Sequence, residues 1–241
     1  MPGSATGDRG DLPARYDVWE RPRGGRRSKL SREAIVAAAI KLADAEGMAA
    51  VSIRRVAGEL GVRAMSLYGH IDRKEDLLDL MYDEVAADVL IEGELPSDWR
   101  EAFLQITRRE RATGLEHPWM FQLAGRSSRI GPNGLRHADQ SLRAASKLTD
   151  DPRSQMEIVI TIDHYMLGVM TQEQRIRERG VHDLKVVEHS LLEQSYVRDL
   201  LAGGEFPYLR SVVETGVYGE DDFEKGLNWL LDGIEREHAG S

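Results

Sequence analysis

The sequence predicts an all-α protein in which a small three-helix helix-turn-helix domain precedes a larger helical domain. Apolar residues recur at helical spacing between breaks that contain glycine and proline, and no segment alternates long enough to predict a strand. A hydrophobic content of 41% with only 6% aromatic residues is typical of a soluble, helix-rich chain. The segment Ser52–Glu75 reads as helix, tight turn, second helix and the start of a third.

Ser52 is placed to cap the first helix of that segment, because its hydroxyl can accept a hydrogen bond from an unpaired N–H of the first turn. Gly61 is the residue best able to take the left-handed conformation that ends a helix. Ala64–His70 then forms a second helix of about two turns. If Leu67 faces inward, the outward positions carry hydrogen-bond donors, methyl groups and an aromatic edge, which suit phosphates and base edges.

The same pattern also fits an ordinary helical hairpin in an all-α protein, so spacing alone favours DNA binding only modestly. The remaining helices are predicted from apolar stripes and caps. They are Ser31–Gly47, Asp72–Glu92, Trp99–Thr113, a short helix within His117–Gly134, Leu135–Leu148, Arg153–Arg179, Val181–Gly203, Phe206–Thr215 and Asp221–Glu237. Arg153–Arg179 is apolar on several faces, so we expect it to be buried on more than one side.

Composition excludes several classes of protein. The chain has no cysteine, which excludes disulfides, thiolate catalysis and cysteine–zinc sites. No apolar run is long enough to cross a bilayer, and the N-terminus lacks the apolar core of a signal peptide. Together these points predict a cytoplasmic protein without a membrane partner.

The charge is distributed unevenly between the two halves of the chain. The segment from Glu20 to Glu75 has 12 basic and 7 acidic residues, a net charge of +5, which leaves −14 for the rest of a chain whose total is −9. A basic N-terminal segment on an acidic body is expected of a DNA-binding domain joined to a domain with another task. Residues 1–29 form a basic arm that we expect to be disordered. It either lies along DNA phosphates or is a solvated tail, and the sequence does not separate the two.

Ile35–Leu80 resembles the DNA-binding domain of the TetR family of transcriptional repressors. The matching features are A-x-x-L-x-x-x-x-G from Ala39 to Gly47, S-I-R-x-V-A-x-x-L-G-V from Ser52 to Val62, the L-Y-x-H core from Leu67 to His70, and K-E-x-L-L from Lys74 to Leu78. The resemblance divides the chain into the arm, a DNA-binding domain at 30–75 and a helical effector-binding and dimerisation domain at 76–241. It also implies that the helix after Asp72 connects effector binding to DNA reading.

As a hypothesis, a homodimer places two reading helices in successive major-groove faces of a pseudo-palindromic double-stranded operator. The residues expected to hold phosphates are Ser52, Arg54, Arg63, Tyr68, His70 and Lys74. The residues expected to reach bases are Ala64, Met65 and Ser66. Arg73 and Lys74, at the start of the next helix, are also placed to reach phosphates. Gly69 departs from the large aromatic residue that some members carry, so base preference is not transferred.

The C-terminal half resembles the regulatory domain of the tetracycline-repressor branch through H-P-W at His117, G-P-N at Gly131, L-G-x-x-x-Q-E at Leu167 and F-P-Y-L at Phe206. By position, Arg153–Arg179 and Asp221–Glu237 correspond to the two helices that make the family's four-helix dimer interface. A small-molecule pocket is expected among apolar and methionine residues with a few polar groups. The candidates are Trp99, Phe103, Trp119, Met120, Leu123, His164, Met166, Met170 and Gln174, although core packing is the better explanation for any one of them.

Tetracycline–magnesium is not the expected effector. The branch uses a histidine in the segment that matches Gln122–Gly125, where this chain has none, and the acidic magnesium contact is replaced by Gln172 or displaced to Glu173. A bulky, mostly apolar compound is favoured instead, and no cofactor or metal is expected.

No catalytic constellation is present in the sequence, since the histidines lack metal-site spacing and there is no G-x-S-x-G elbow. We therefore predict a ligand-responsive regulator rather than an enzyme, and a repressor rather than an activator. Two alternatives stay open. One is a DNA-binding dimer without an effector, and the other is a helical ligand carrier or enzyme.

Overall fold

The computed structural model describes residues 18–19, 30–124, 130–178, 194–215 and 223–238. Within these ranges the chain forms eleven α-helices and one short 3₁₀ helix, and no β-strand. The all-α prediction is confirmed. The chain packs as two units, Met1–Met81 and Tyr82–Ser241. The predicted disordered arm lies outside the described residues, except that Val18 and Trp19 form a turn in which Val18 is buried.

The N-terminal unit is built from short helices around one small core. Its elements are α1 (Arg32–Glu46), a 3₁₀ turn (Met48–Ala50), α2 (Ile53–Glu59), α3 (Ala64–Leu67) and the first half of α4 (Lys74–Val89). Helix α1 packs on α2, and α2 packs on α3. The buried residues include Ile35, Leu42, Val51, Val56, Leu67, Ile71, Leu77 and Met81.

The caps predicted for this unit are present. The Ser31 hydroxyl accepts a hydrogen bond from the Ala34 N–H at 3.1 Å, and the Ser52 hydroxyl accepts one from the Arg55 N–H at 3.2 Å. Gly61 has a φ of 65°, the left-handed conformation that turns the chain between α2 and α3. Local sequence therefore sets both the start of α2 and the turn that follows it.

The second helix of the motif is shorter than the predicted Ala64–His70. Helix α3 ends at Leu67, whose carbonyl accepts hydrogen bonds from both His70 N–H at 2.8 Å and Ile71 N–H at 3.0 Å. Shared bonds of this kind tighten the last turn of a helix. Gly69 disfavours continuation of the helix, and the tightened turn brings Ile71 into the core.

The C-terminal unit contains the second half of α4 and seven further helices. These are α5 (Trp99–Glu116), α6 (Met120–Leu123), α7 (Pro132–Ala145), α8 (Pro152–Glu178), α9 (Ser195–Ala202), α10 (Pro207–Thr215) and α11 (Phe223–His238). Helices α5, α6, α7 and α11 all pack on α8, and α9 packs on α10. Helix α8 is the centre of this unit. Most of the segment Val181–Gly203, in which one helix was predicted, lies outside the described residues. Helix α9 lies in the last part of that segment.

The core of the unit is formed by α5, α7, α8 and α11. Its members include Trp99, Phe103, Ile106, Ala144, Ile158, Ile162, Met166, Met170, Leu227 and Leu231. Helix α8 is buried along one side, but Met156, Ile160 and Leu167 on it are exposed. Burial of this helix on a second side was expected at a subunit interface, so that part of the expectation stays a prediction. Among the described helices, none is long and apolar enough to cross a membrane.

Candidate DNA-binding surface and effector domain

Helix α3 presents an unusual set of exposed side chains. Met65 is 76% exposed and Tyr68 is 45% exposed, and Arg63 and Ser66 are exposed beside them, whereas Leu67 is completely buried. Ala64 and His70 are half-buried. A large apolar side chain held in solvent has no packing role within the chain. The inward position of Leu67 and the outward positions of its neighbours agree with the prediction.

Backbone hydrogen bonds close the turn between α2 and α3. Val62 N–H donates to the Ala57 carbonyl at 3.0 Å, and Gly61 N–H donates to the Gly58 carbonyl at 3.1 Å. Together with the buried Leu67 these bonds define the orientation of the exposed face. A side chain that reads DNA needs this kind of rigid support, because base contacts depend on direction.

The basic residues around α3 fall into two groups. Arg54 and Lys74 are exposed and, within the described residues, have no ion-pair partner. Arg55 is bound to Glu46 at 2.7 Å and lies 3.5 Å from Glu59. Arg73 bonds to Asp76 at 3.1 Å, so the prediction that it reaches phosphates requires breaking that pair. Ser52 is exposed and already serves as the cap of α2.

The nine candidate pocket residues are distributed between the hydrophobic core, the region around α6 and the surface of α8. Four of them, Trp99, Phe103, Met166 and Met170, belong to the hydrophobic core. Trp119, Met120 and Leu123 are buried on and beside α6, and His164 is exposed on α8.

Met170 and Gln174 line a small internal gap between α5 and α8. Gly114, Leu115, Pro118, Glu173 and Arg177 complete its wall, and its volume is about 10 Å³. This is room for about one water molecule. Glu173, the candidate magnesium contact, is bound by Arg111 at 2.7 Å. Among the described residues, no group of three histidine or acidic side chains is arranged to hold a metal ion.

A polar cluster in this unit was not predicted from the sequence. Glu110 of α5 is buried, and its Oε1 lies 2.8 Å from Nε2 of His137 on α7. Nδ1 of His137 is also buried and has no hydrogen-bond partner among the described residues. Asp163 of α8 is exposed to solvent and lies near enough to Glu110 and His137 for their charges to act on it.

The charges of this cluster shift the pKa values of Asp163, of His137 and of the neighbouring Tyr82 on α4. Burial, and then the charges of Glu110 and Asp163, raise the pKa of Tyr82 to about 12. Burial and the charge of Glu110 raise the pKa of Asp163 to about 6. For His137, burial lowers the pKa but the hydrogen bond and charge of Glu110 outweigh it, so the pKa is raised. The sequence signal was the position of Glu110 on the buried stripe of α5, where an apolar residue is expected.

Two family models match the chain. Residues 35–81 match the bacterial regulatory proteins of the tetR family, and residues 92–238 match the tetracyclin repressor-like C-terminal domain. Together they cover both units and confirm the two resemblances drawn from the sequence.

Individual relatives and solved structures agree with these models. The HTH-type transcriptional repressor DrrR1 of Streptomyces coeruleorubidus is 32% identical over 231 residues, which cover 91% of this chain and 83% of DrrR1. The fold is similar to that of ActR from Streptomyces coelicolor without ligand (TM-score 0.74, 24% identity, 88% of this chain and 98% of ActR). It is also similar to that of BioQ bound to its DNA operator (TM-score 0.62, 23% identity, 86% of this chain and 98% of BioQ). The chain is therefore a transcriptional regulator that belongs to the tetR family.

Proposed function

We propose that this protein is a ligand-responsive repressor that binds a pseudo-palindromic operator as a homodimer and is released by a small molecule. The observation that carries the proposal is the exposed face of α3, where Met65 and Tyr68 stand in solvent while Leu67 anchors the helix. The repressor sign is supported by DrrR1, which is named a repressor. The matched family consists of transcriptional regulators, which supports a regulator rather than an enzyme. The proposed location of this regulator is the cytoplasm.

The proposed DNA contacts divide by chemistry. The phosphate contacts are Ser52, Arg54, Arg63, Tyr68, His70 and Lys74, and the base contacts are Ala64, Met65 and Ser66. The exposed Met65 and the Ala64 methyl group suit the methyl group of thymine, and the Ser66 hydroxyl can donate to or accept from a base edge. Cations and hydroxyls around them hold the register without reading sequence.

Homodimerisation is supported by apolar side chains that a single chain leaves in solvent. Met156, Ile160 and Leu167 on α8 and Trp229 on α11 are exposed, and these helices are the pair expected to form a four-helix interface. A glutamate at Leu167 would place a charge in that interface at a cost of several kcal/mol. We expect Leu167→Glu to convert the dimer to monomer in sedimentation experiments while its helix content is kept. A dimer that persists in Leu167→Glu would place the interface elsewhere.

The effector proposed is a bulky, mostly apolar compound. A structurally similar protein, ActR, has been solved in complex with actinorhodin, which supports a small-molecule effector. The gap of about 10 Å³ beside Met170 and Gln174 is far smaller than a ligand pocket, so a ligand bound at that gap would require α5 and α8 to separate locally. Tetracycline–magnesium is not proposed, because Arg111 already neutralises Glu173.

DNA binding is tested by mobility shift with the DNA upstream of the protein's own gene and with a random-site pool, each at two salt concentrations. We expect a specific, salt-sensitive complex that contains two subunits. Lys74→Ala and Tyr68→Ala are expected to weaken it, whereas Lys41→Ala is the matched control, because Lys41 is an exposed lysine on α1 outside the proposed surface. Wild-type affinity in both variants would overturn these two contacts, and the lack of any complex at low salt with either DNA would instead favour a helical ligand carrier or enzyme.

The effector is tested separately by thermal stabilisation with a varied compound library, followed by release of DNA. A compound that stabilises the protein and dissociates the complex supports the proposal. Specific DNA binding with no stabilising compound would favour the alternative of a DNA-binding dimer without an effector.

A further inference from the structure

Helix α7 begins without a cap of its own. Its N-cap residue is Gly131, which has no side chain to accept a hydrogen bond, and the next residue is Pro132, which has no N–H. The unpaired donors of the first turn are therefore Asn133 N–H and Gly134 N–H. Left unpaired, two buried or half-buried N–H groups would be costly.

A carboxylate from another helix supplies the missing cap. Oδ1 of Asp83 on α4 accepts from Asn133 N–H at 2.9 Å and from Gly134 N–H at 3.1 Å. The side-chain amide of Asn133 returns a third bond to the Asp83 carbonyl at 2.9 Å. A Cβ on Gly134 would lie 2.8 Å from the Ile130 side chain and 4.0 Å from Oδ1 of Asp83, so glycine at this position makes room for Ile130. The negative charge also faces the positive end of the α7 dipole.

The same two helices are joined again further along the chain. The Gln140 amide of α7 donates to the Ile91 carbonyl at 2.9 Å and accepts from Ile91 N–H at 3.0 Å, just beyond the end of α4. The segment from Asp83 to Ile91 is thus hydrogen-bonded to α7 at both of its ends. Directional bonds of this kind are lost when the helices shift, whereas apolar contacts slide. We call the bonds of Asp83 to Asn133 and Gly134, and of Gln140 to Ile91, the joint. The joint is either formed, with these hydrogen bonds present, or broken.

We propose that Asp83 is the positioning residue that fixes α4 to α7 and makes operator affinity depend on the state of α7. The inference rests on the proposed function, since α4 is taken as the connector between effector binding and DNA reading. Helix α4 is continuous from Lys74 to Val89, so a change at Asp83 is carried along it toward Lys74. In the ligand-free protein the formed joint favours the DNA-binding arrangement, and a movement of α7 breaks the hydrogen bonds of the joint.

The first test compares three variants of the full-length protein. Asp83→Ala removes the cap, Asp83→Asn keeps an acceptor at the same position, and Asp98→Ala is the matched control. Asp98 caps α5 within its own helix through Glu101 N–H at 2.9 Å and belongs to the same unit as Asp83. The DNA probe is the site that the wild-type protein selects from a random-site pool.

We expect Asp83→Ala to weaken binding to that site by roughly 5-fold to 100-fold, the usual range of coupling between sites. Asp83→Asn should restore most of the affinity, and Asp98→Ala should leave it within about 2-fold, although both alanine variants lose stability. Unchanged operator affinity in Asp83→Ala, with a loss of stability like that of Asp98→Ala, would reduce Asp83 to a structural cap and overturn the proposal.

Hydrogen exchange of the free protein tests, without DNA, whether Asp83 holds α4 in place. Asp83→Ala is expected to speed exchange of the α4 amides by about 5-fold or more through local opening, and Asp98→Ala is not. If the wild type selects no DNA, the proposed function fails while this measurement still reports the joint. If Asp83→Ala does not fold, Asn133→Ala removes only the third bond and should shift exchange in the same direction. Equal exchange of α4 in all variants would refute the coupling.

Discussion

The neighbouring arginines of α2, Arg54 and Arg55, have the same charge but different surroundings. Arg54 is exposed and has no ion-pair partner within the described residues, whereas the Arg55 guanidinium lies 2.7 Å from Glu46 and 3.5 Å from Glu59. The hydrogen bond to Glu46 and the charges of both glutamates raise the pKa of Arg55. A cation that is already neutralised releases few counterions from DNA, so only Arg54 is expected to contribute to the salt dependence of binding.

The magnitude follows from the number of proposed cations. Arg54, Arg63 and Lys74 in two subunits give six phosphate contacts and a slope of log affinity against log salt of about −5. Arg54→Ala removes two of the six and reduces the slope by about 2. Between 50 and 200 mM salt, the wild type should then lose about 2000-fold in affinity and the variant about 150-fold.

The assay is fluorescence anisotropy with a labelled operator at four salt concentrations. Arg55→Ala is the matched control and should keep the wild-type slope, because the Arg55 guanidinium is already paired with Glu46 and Glu59. Thermal unfolding of each variant checks that its folded fraction is unchanged. Equal slopes for Arg54→Ala and Arg55→Ala, or a larger change for Arg55→Ala, would refute the reasoning.

Two further predictions concern the stability of the helical units. Burial and the charge of Glu110 raise the pKa of Asp163 from 3.8 to about 6, so the folded state holds a proton that the unfolded chain releases, and stability should fall as pH rises across that interval. Asp163→Asn is expected to flatten this part of the pH profile in calorimetry, and a profile unchanged from wild type would contradict the assignment. Gly114→Ala should destabilise by roughly 1–3 kcal/mol, because its Cβ would overlap the ring of Phe121. Gly58→Ala, where a Cβ meets no atom within 4 Å, should stabilise by about 0.5–1 kcal/mol, and denaturant unfolding distinguishes the two.

The elements of the N-terminal unit could be predicted because their signals are local. Ser52 caps the helix that follows it, Gly61 takes the left-handed turn, and Leu67 faces inward as its spacing indicated. Each depends on residues within one or two turns, which a sequence displays directly. The end of α3 was misjudged because the Leu67 carbonyl accepts from both His70 N–H and Ile71 N–H, and this tightened turn places Ile71 in the core instead of continuing the helix.

The lining of the effector pocket in the C-terminal unit stays a prediction. Trp99, Phe103, Met166 and Met170 have the composition of a pocket but pack as core, because the same apolar side chains serve both purposes. Composition shows that an interior exists. Whether that interior encloses a ligand depends on how far α5 and α8 approach each other.

By itself, the sequence determined the helical class, the helix-turn-helix motif, the order of the helices and the family. The first three follow from periodicity, caps and turns, which act over a few residues, and the family follows from the resemblance of the motifs between Ala39 and Leu78. Only the tertiary structure decided that Asp83 caps α7 across 50 residues of chain, and that Glu110 and His137 meet in a buried pair. A carboxylate or an imidazole looks the same in sequence whether it faces solvent or a partner. Its role is set by which helices pack together.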